Sequence, residues 1–107
     1  MSDTQQRIDE LVKSSEVLLF MKGTASFPQC GFSGRAIQLL KACGVDPKAV
    51  KTVNVLEDAE IRAGIKDYSS WPTIPQLYVK GEFIGGSDIM MEMYETGELQ
   101  KVLAKPV

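Results

Sequence analysis

The sequence predicts an α/β protein in which a mixed four-stranded sheet has helices on both faces. Three features support this fold class. Val17 to Met21 is a continuous apolar run, as expected of a strand buried on both sides. A helical pattern separates this run from a second strand, and such a crossover makes the two strands parallel. Two further short strands flank Lys80-Gly81-Glu82, a hairpin signal that adds an antiparallel pair.

The first half of the chain is predicted as helix, strand, helix, strand. Apolar residues recur at helical spacing within Thr4 to Ser14. After the strand Val17 to Met21, a second helix is predicted over Gly31 to Ala42, with Gly44 as its stop signal. Lys51 to Val55 alternates sufficiently to form the parallel strand.

The second half is predicted as helix, two strands, and two helices. The helix is expected over Asp58 to Tyr68, and the strands over Gln76 to Val79 and Phe83 to Ile84. A further helix begins at Ser87 or Asp88 and reaches about Thr96, before a short one over Glu98 to Ala104. The order α-β-α-β-α-β-β-α-α is that of the thioredoxin-like architecture.

Length and composition are typical of one globular domain, expected over residues 1–107. The chain has 107 residues, of which 44% are hydrophobic and 24% charged. A net charge of −2 without a basic cluster argues against nucleic acid as a partner. The longest apolar run is too short to cross a bilayer. Since no secretion signal begins the chain, a cytoplasmic location is predicted, with an organellar matrix after removal of a targeting segment as the alternative.

Cys30 is the candidate reactive residue. It follows a strand and a loop, and it stands directly before the predicted helix. Unpaired N–H groups and the helix dipole favour a thiolate at such a position, and Lys22 can add positive charge. The alternative is a buried, inert cysteine. The position beside Pro28 and Gly31 favours the reactive thiol.

The numbers of histidines and cysteines exclude several kinds of site. The chain has no histidine, which excludes Ser-His-Asp and Cys-His catalysis within one chain. Its two cysteines cannot form a four-ligand zinc or iron–sulfur site alone, so such a cluster needs thiols from outside the chain. Cys43 lies about 20 Å along the predicted helix from Cys30. Because a disulfide needs Cα atoms within about 7 Å, Cys43 is assigned to core packing.

Four sequence blocks, in order, together resemble the monothiol glutaredoxins of the CGFS type. The blocks are Lys22-Gly23-Thr24 with Pro28, Cys30-Gly31-Phe32-Ser33, Trp71-Pro72-Thr73-Ile74-Pro75 and Gly85-Gly86-Ser87-Asp88. CGFS alone is a weak motif, but four blocks in register over nearly the whole chain are a strong signal. One departure is Ser87, where many relatives carry a cysteine, so disulfide chemistry through that cysteine is absent.

The resemblance implies a glutaredoxin domain that binds glutathione and a [2Fe-2S] cluster bridging two protomers. Cys30 is then both the catalytic thiol and the cluster ligand. The implied partners are a second copy of the chain, BolA-like proteins and iron–sulfur recipient proteins. Ser33 stands where dithiol relatives have a second cysteine and cannot resolve a mixed disulfide. The loop from Thr24 to Gln29 is longer than in those relatives, which by resemblance favours cluster binding over fast thiol exchange.

The resemblance also assigns the glutathione site. Lys22 and Arg62 are expected at the glycyl carboxylate, although an arginine like Arg62 is most often a solvated helix residue. Thr73, Ile74 and Pro75 form the family's cis-proline turn, in which the Ile74 backbone pairs with the tripeptide. Trp71 is expected to form a wall of the groove.

At the other end of the tripeptide, a glycine-rich turn opens a predicted helix. Gly86 and Ser87 belong to this turn and offer backbone N–H groups to the γ-glutamyl carboxylate. Asp88 is expected to accept from the γ-glutamyl ammonium. A plain helix cap is the simpler interpretation of Asp88 and is compatible with this role.

Three functions remain open from the sequence. The first is a cluster carrier, because two Cys30 thiolates and two glutathione thiolates supply the four ligands of a [2Fe-2S] cluster. The second is a glutathione-dependent oxidoreductase that acts on protein–glutathione mixed disulfides through Cys30 alone. The third is an adaptor whose groove recruits BolA-like partners without needing the thiol.

Overall fold

The computed structural model describes residues 2–104, apart from the side chain of Pro47. Nine elements follow one another in the predicted order. They are α1 (Asp3–Lys13), β1 (Val17–Met21), α2 (Gly31–Ala42), β2 (Lys51–Asn54), α3 (Ala59–Ser69), β3 (Gln76–Val79), β4 (Glu82–Gly85), α4 (Ser87–Thr96) and α5 (Glu98–Leu103). Short 3-10 turns at Pro47–Ala49 and Val55–Glu57 flank β2.

The four strands form one mixed sheet in the order β2-β1-β3-β4. β1 is parallel to β2 and antiparallel to β3, with Leu19 opposite Thr52 on one side and Leu77 on the other. β3 and β4 form the predicted hairpin. Lys80 and Gly81 take φ angles of 52° and 82° at its turn, the left-handed geometry of a two-residue hairpin loop. The thioredoxin-like fold is therefore confirmed.

Each face of the sheet has its own apolar core. Leu18 and Phe20 of β1 point to the face covered by α1 and α3, where they pack with Ile8 and Ile65. Val17, Leu19 and Met21 point to the opposite face, against apolar side chains of α2, α4 and α5. All five residues of β1 are buried, as the continuous apolar run predicts.

Element boundaries differ from the predictions by one or two residues, for local reasons. β2 ends at Asn54 instead of Val55, because the Asn54 side chain accepts from the Leu56 N–H and opens a 3-10 turn. α3 begins one residue late, because the Asp58 carboxylate caps it. β4 is longer than expected, since Glu82 and Gly85 both pair with β3.

No helix within residues 2–104 is long and apolar enough to cross a membrane.

Candidate functional site

Cys30 stands at the start of α2, where sequence analysis places it. It is the N-cap residue, with extended backbone angles, and its thiol is partly exposed. Its side chain makes no capping hydrogen bond, yet the nearby backbone N–H of Ser33 lowers the pKa of the thiol. Partial burial opposes this effect, while the Phe32 N–H and the Lys22 charge add to it. The net result is a pKa below the ordinary cysteine value, which favours the thiolate.

The longer loop before Cys30 is closed on itself. The Gln29 N–H donates to the Lys22 carbonyl at 2.9 Å, and Gly23 and Pro28 form an isolated antiparallel bridge. At the loop tip, the Phe27 N–H donates to Thr24 Oγ1 at 3.1 Å. Gly23 takes a φ of +92°, and a Cβ there would lie 2.5 Å from the Phe27 carbonyl oxygen, so only glycine fits.

Two side chains fasten the segment Lys22-Gly23 to the fold. Ser33 is fully buried, and its Oγ accepts from the Lys22 N–H at 3.0 Å. Asn54, at the end of β2, accepts from the Gly23 N–H through Oδ1, also at 3.0 Å. The Ser33 hydroxyl therefore holds the loop in place by a hydrogen bond to nearby backbone.

A cavity of about 350 Å³ opens beside Cys30. All nine residues that the sequence predicts for the site line it: Lys22, Cys30, Arg62, Thr73, Ile74, Pro75, Gly86, Ser87 and Asp88. These come from the loop after β1, from α3, from the loop before β3 and from the start of α4. Trp71 also lines the cavity, as expected of a wall.

The cavity carries both positive and negative charge. Lys22, Arg62 and Lys66 contribute three cations to its lining, and Asp88 contributes a carboxylate. The Asp88 side chain is 89% exposed, and its contact with Arg35 is long at 3.9 Å. Such an exposed, loosely paired carboxylate is available to a cationic ligand group.

The start of α4 offers backbone donors to the same cavity. Gly86 is the N-cap residue and supplies no side chain to cap the helix. The first N–H groups of α4 therefore have no side-chain acceptor from the N-cap, and the helix dipole makes this end attractive to an anion. A Cβ at Gly86 would lie 3.3 Å from the Pro75 carbonyl oxygen, so glycine lets the start of α4 lie close to the Trp71–Pro75 loop.

The loop Trp71–Pro75 forms another wall. The Ile74–Pro75 peptide bond is cis, as the family resemblance implies. β3 begins only at Gln76, and the Ile74 backbone makes no hydrogen bond to any part of the chain in residues 2–104. The Ile74 N–H and C=O can therefore pair with an extended ligand.

Cys43 lies at the opposite end of α2 from Cys30, as the C-cap residue. It is partly buried and packs against the core, and burial raises the pKa of its thiol. Both cysteines are free. The two thiols are therefore separated by a whole helix, and the pKa of Cys30 is lowered while that of Cys43 is raised. Both observations agree with the assignment of Cys43 to core packing.

Sequence reasoning missed several residues at the site. Phe32, Lys66 and Ile89 also line the cavity. Lys66 could have been predicted from the sequence, since it lies one helical turn after Arg62 and therefore on the same face of α3. Asn54, which holds the loop through Gly23, could not have been predicted, because the two residues are 31 positions apart in the chain.

The fold is thioredoxin-like, and the site has one cysteine of lowered pKa at a helix start. Since Ser33 stands at the position of a second cysteine, the chain is a monothiol protein of the thioredoxin-like class. The Glutaredoxin family model matches residues 17–84. A monothiol glutaredoxin from Synechocystis, ycf64-like, is 57% identical over 94% of this chain and 92% of its own length. Mitochondrial monothiol glutaredoxin-5 from Lachancea kluyveri is 57% identical over 95% and 71%, respectively. The chain belongs to the glutaredoxin family, among its monothiol, CGFS-type members.

Solved structures agree with this assignment. The reduced apo form of poplar GrxS14 superimposes with a TM-score of 0.76 at 52% identity, over 91% of this chain and 86% of that one. A buckwheat glutaredoxin–glutathione complex gives 0.79 at 25% identity, over 94% and 86%.

The relatives come from different compartments. Besides the mitochondrial protein, chloroplastic monothiol glutaredoxin-S14 of Arabidopsis thaliana is 51% identical over 92% of this chain and 55% of its own length. A cytoplasmic location for this chain stays a prediction.

Proposed function

We propose that residues 1–107 form one glutaredoxin domain that binds glutathione in the cavity beside Cys30. Two such complexes then share a [2Fe-2S] cluster that the protein passes to iron–sulfur recipients. The observation that carries this proposal is the single low-pKa thiol, Cys30, in the lining of a cavity with three cations. The other thiol, Cys43, lies at the far end of α2 and cannot join it.

The cavity matches the chemistry of glutathione group by group. The tripeptide carries two carboxylates, one ammonium, one thiol and an extended backbone. Lys22 and Arg62 are suited to the glycyl carboxylate, and the Ile74 backbone to the peptide. The uncapped start of α4, at Ser87 and Asp88, suits the γ-glutamyl carboxylate. The exposed Asp88 carboxylate suits the ammonium. A buckwheat glutaredoxin with this fold was solved in complex with glutathione.

The donor set fits a shared cluster. Among residues 2–104, no group of three or more His, Cys, Asp and Glu side chains could hold a metal ion. A [2Fe-2S] cluster needs four thiolates, of which one chain supplies only Cys30. A glutathione bound beside Cys30 supplies a second, and a second chain with its own glutathione completes the set. The cluster would be what the protein delivers to recipient proteins. Because two of its four ligands would be glutathione molecules that can exchange, the cluster could be released on transfer.

Two exposed apolar side chains lie within three residues of Cys30 in the sequence and support an interface on this side of the molecule. Phe27 at the loop tip is 75% exposed, and Phe32 in the first turn of α2 is 55% exposed. Large apolar groups in open solvent beside a reactive thiol are typical of an interaction surface. We assign this surface to the second copy of the chain, with BolA-like and recipient proteins as competing partners.

Anaerobic reconstitution with iron, sulfide and glutathione tests the proposal. The wild-type protein is expected to gain visible cluster absorbance and to double in mass, but only when glutathione is present. Cys30→Ser is expected to abolish both changes, whereas Cys43→Ser should retain them. A coloured Cys30→Ser protein, or colour without glutathione, would contradict the proposal.

The lowered pKa of Cys30 also favours a second candidate function, monothiol oxidoreductase activity. The Cys30 thiolate would attack the glutathione sulfur of a mixed disulfide, and the substrate thiolate would leave and take up a proton. A second glutathione thiolate then attacks the Cys30–glutathione disulfide, which releases oxidised glutathione and restores Cys30. Since Ser33 has no thiol to assist, we expect slow turnover, to be measured on a glutathionylated protein.

A further inference from the structure

Gln76 is a buried polar residue that the proposed chemistry does not use. It is the first residue of β3, opposite Phe20 of β1, and its side chain is 0% exposed. A glutamine amide has two N–H donors and one carbonyl acceptor, all of which need partners in a protein interior. The partners of Gln76 lie in the loop that lines the cavity and in the core.

Both donors of the Gln76 amide hold the cavity loop. Nε2 donates to the Trp71 carbonyl at 3.2 Å and to the Thr73 carbonyl at 3.1 Å. At the other end of the amide, Oε1 accepts from the Tyr78 hydroxyl at 3.1 Å. Since two backbone carbonyls can only accept, the amide fits in one orientation, and a carboxylate in its place would face two acceptors.

The loop depends on this amide because it has few hydrogen bonds of its own. Pro72 and Pro75 have no N–H group. The Trp71 N–H bonds to Ser69 Oγ and the Lys66 carbonyl, which fixes only the beginning of the loop. Beyond it, within residues 2–104, the Thr73 carbonyl has Gln76 as its partner, and the Ile74 backbone has none.

We infer that Gln76 is a positioning residue for the ligand groove: its buried amide fixes the Trp71–Pro75 loop from beneath, so that Thr73 and the Ile74 backbone keep the shape that a bound peptide pairs with. This inference rests on the proposed binding of glutathione. Gln76 is not among the residues that line the cavity, and it acts by lowering the cost of ordering the loop on binding.

Trp71 provides a direct readout, because it is the only tryptophan in the chain and lines the cavity. Its emission is recorded while reduced glutathione is titrated into the wild-type protein and into two variants, Gln76→Leu and Gln76→Glu. Gln76→Leu removes both bonds to the loop, and Gln76→Glu retains at most one, through a protonated carboxyl. We expect the apparent Kd to rise about tenfold, the scale of one or two lost neutral hydrogen bonds.

Tyr78→Phe is the matched control. It removes the hydroxyl that bonds to Gln76 Oε1 and so perturbs the same buried network, but it leaves both loop bonds in place. Its Kd is expected to stay within about twofold of the wild-type value. If the rise in Kd were proportional to the loss of folding stability in all three variants, the positioning role would be overturned. Unchanged glutathione binding by the Gln76 variants would overturn it as well. Absence of saturable binding to the wild-type protein would instead refute the proposed function, and this inference with it.

A measurement on the wild-type protein decides the matter if the variants do not fold. The side-chain amide protons of Gln76 are expected to exchange with solvent far more slowly than those of the exposed Gln38, with and without glutathione. Glutathione is expected to shift the backbone resonances of Thr73 and Ile74 while this protection persists. Exchange as fast as at Gln38 would overturn the inference.

Discussion

At the level of single residues, the backbone N–H groups at the start of α2 set the pKa of the Cys30 thiol. The largest of the effects that lower its pKa comes from the Ser33 backbone N–H, and those of the Phe32 N–H and the Lys22 charge follow. Backbone donors persist whatever side chains surround them. The thiolate is therefore favoured mainly by the position of Cys30 at the helix terminus and only partly by the charge of Lys22.

This origin predicts how Cys30 titrates. In a Cys43→Ser background, the pH dependence of alkylation by iodoacetamide should give a pKa below the ordinary value for cysteine. Lys22→Gln should raise this pKa slightly and leave it below the ordinary value, because the backbone N–H groups remain. The thiol of Cys43, measured in Cys30→Ser protein, should titrate above the ordinary value, since burial raises its pKa. A Cys30 pKa at or above that of Cys43 would contradict this account.

Residues whose roles follow from a local motif were predictable from the sequence. Cys30 before a helix, and Gly86 and Ser87 at the start of another, have signals within a few neighbouring positions. Gln76 was read only as a strand residue, because its bonds depend on the path of the Trp71–Pro75 loop. Such a path is set by tertiary structure and leaves no periodic pattern.

At the level of elements, α1 supports the helix that carries two of the cavity's cations. Arg7 of α1 pairs with Asp58 before α3 at 2.7 Å, and the Tyr68 hydroxyl donates to Asp9 at 2.7 Å. The Gln5 amide donates to the Gly64 carbonyl at 2.9 Å, where the absence of a Cβ lets the two helices approach closely. The position of Arg62 and Lys66 on α3 thus depends on a helix that does not line the cavity.

Asp58 offers a test of this support. Its Oδ1 caps α3 by accepting from the Glu60 and Ile61 N–H groups, both at 3.1 Å, while Oδ2 pairs with Arg7. Asp58→Ala should lower the urea midpoint of unfolding, because both functions are lost. Asp58→Asn should lower it less, because an asparagine still caps a helix. Equal midpoints for wild type and Asp58→Ala would show that neither interaction stabilises the fold.

The pH dependence of the same pair follows from the pKa of Asp58, which the Arg7 hydrogen bond and the Ile61 N–H lower in the folded state. A group whose folded-state pKa is lowered contributes stability above its unfolded value, about 3.9 for aspartate. That contribution is lost as the pH falls through the folded pKa. The stability difference between wild type and Asp58→Asn, measured by urea unfolding, should therefore be present at pH 7 and disappear in acid.

The elements themselves followed from the sequence more closely than their ends did. The predictions for β1, α2 and β3 are confirmed residue for residue. A continuous apolar run defines β1, glycines bound α2, and β3 lies between Pro75 and the Lys80-Gly81 turn. β2 ends where the Asn54 side chain opens a 3-10 turn, whereas the ends of β4 depend on which partner backbone lies alongside. That pairing is a property of the assembled sheet and is weakly encoded in a short segment.

At the level of the whole molecule, the fold brings together groups that the sequence keeps far apart. The cavity joins the loop after β1, the start of α2, a face of α3, the loop before β3 and the start of α4. Each segment contributes one kind of chemistry: a cation, a thiol, free backbone groups or helix N–H donors. No segment is a binding site alone, and the site exists because the sheet fixes their relative positions.

The central claim is that one thiolate per chain can hold a cluster only with a tripeptide thiolate beside it and a second chain opposite. Native mass spectrometry of the anaerobically reconstituted protein tests it most directly. The account predicts a species with the mass of two chains, two glutathione molecules and one [2Fe-2S] cluster. A cluster-containing species that holds a single chain, or that holds no glutathione, would contradict it.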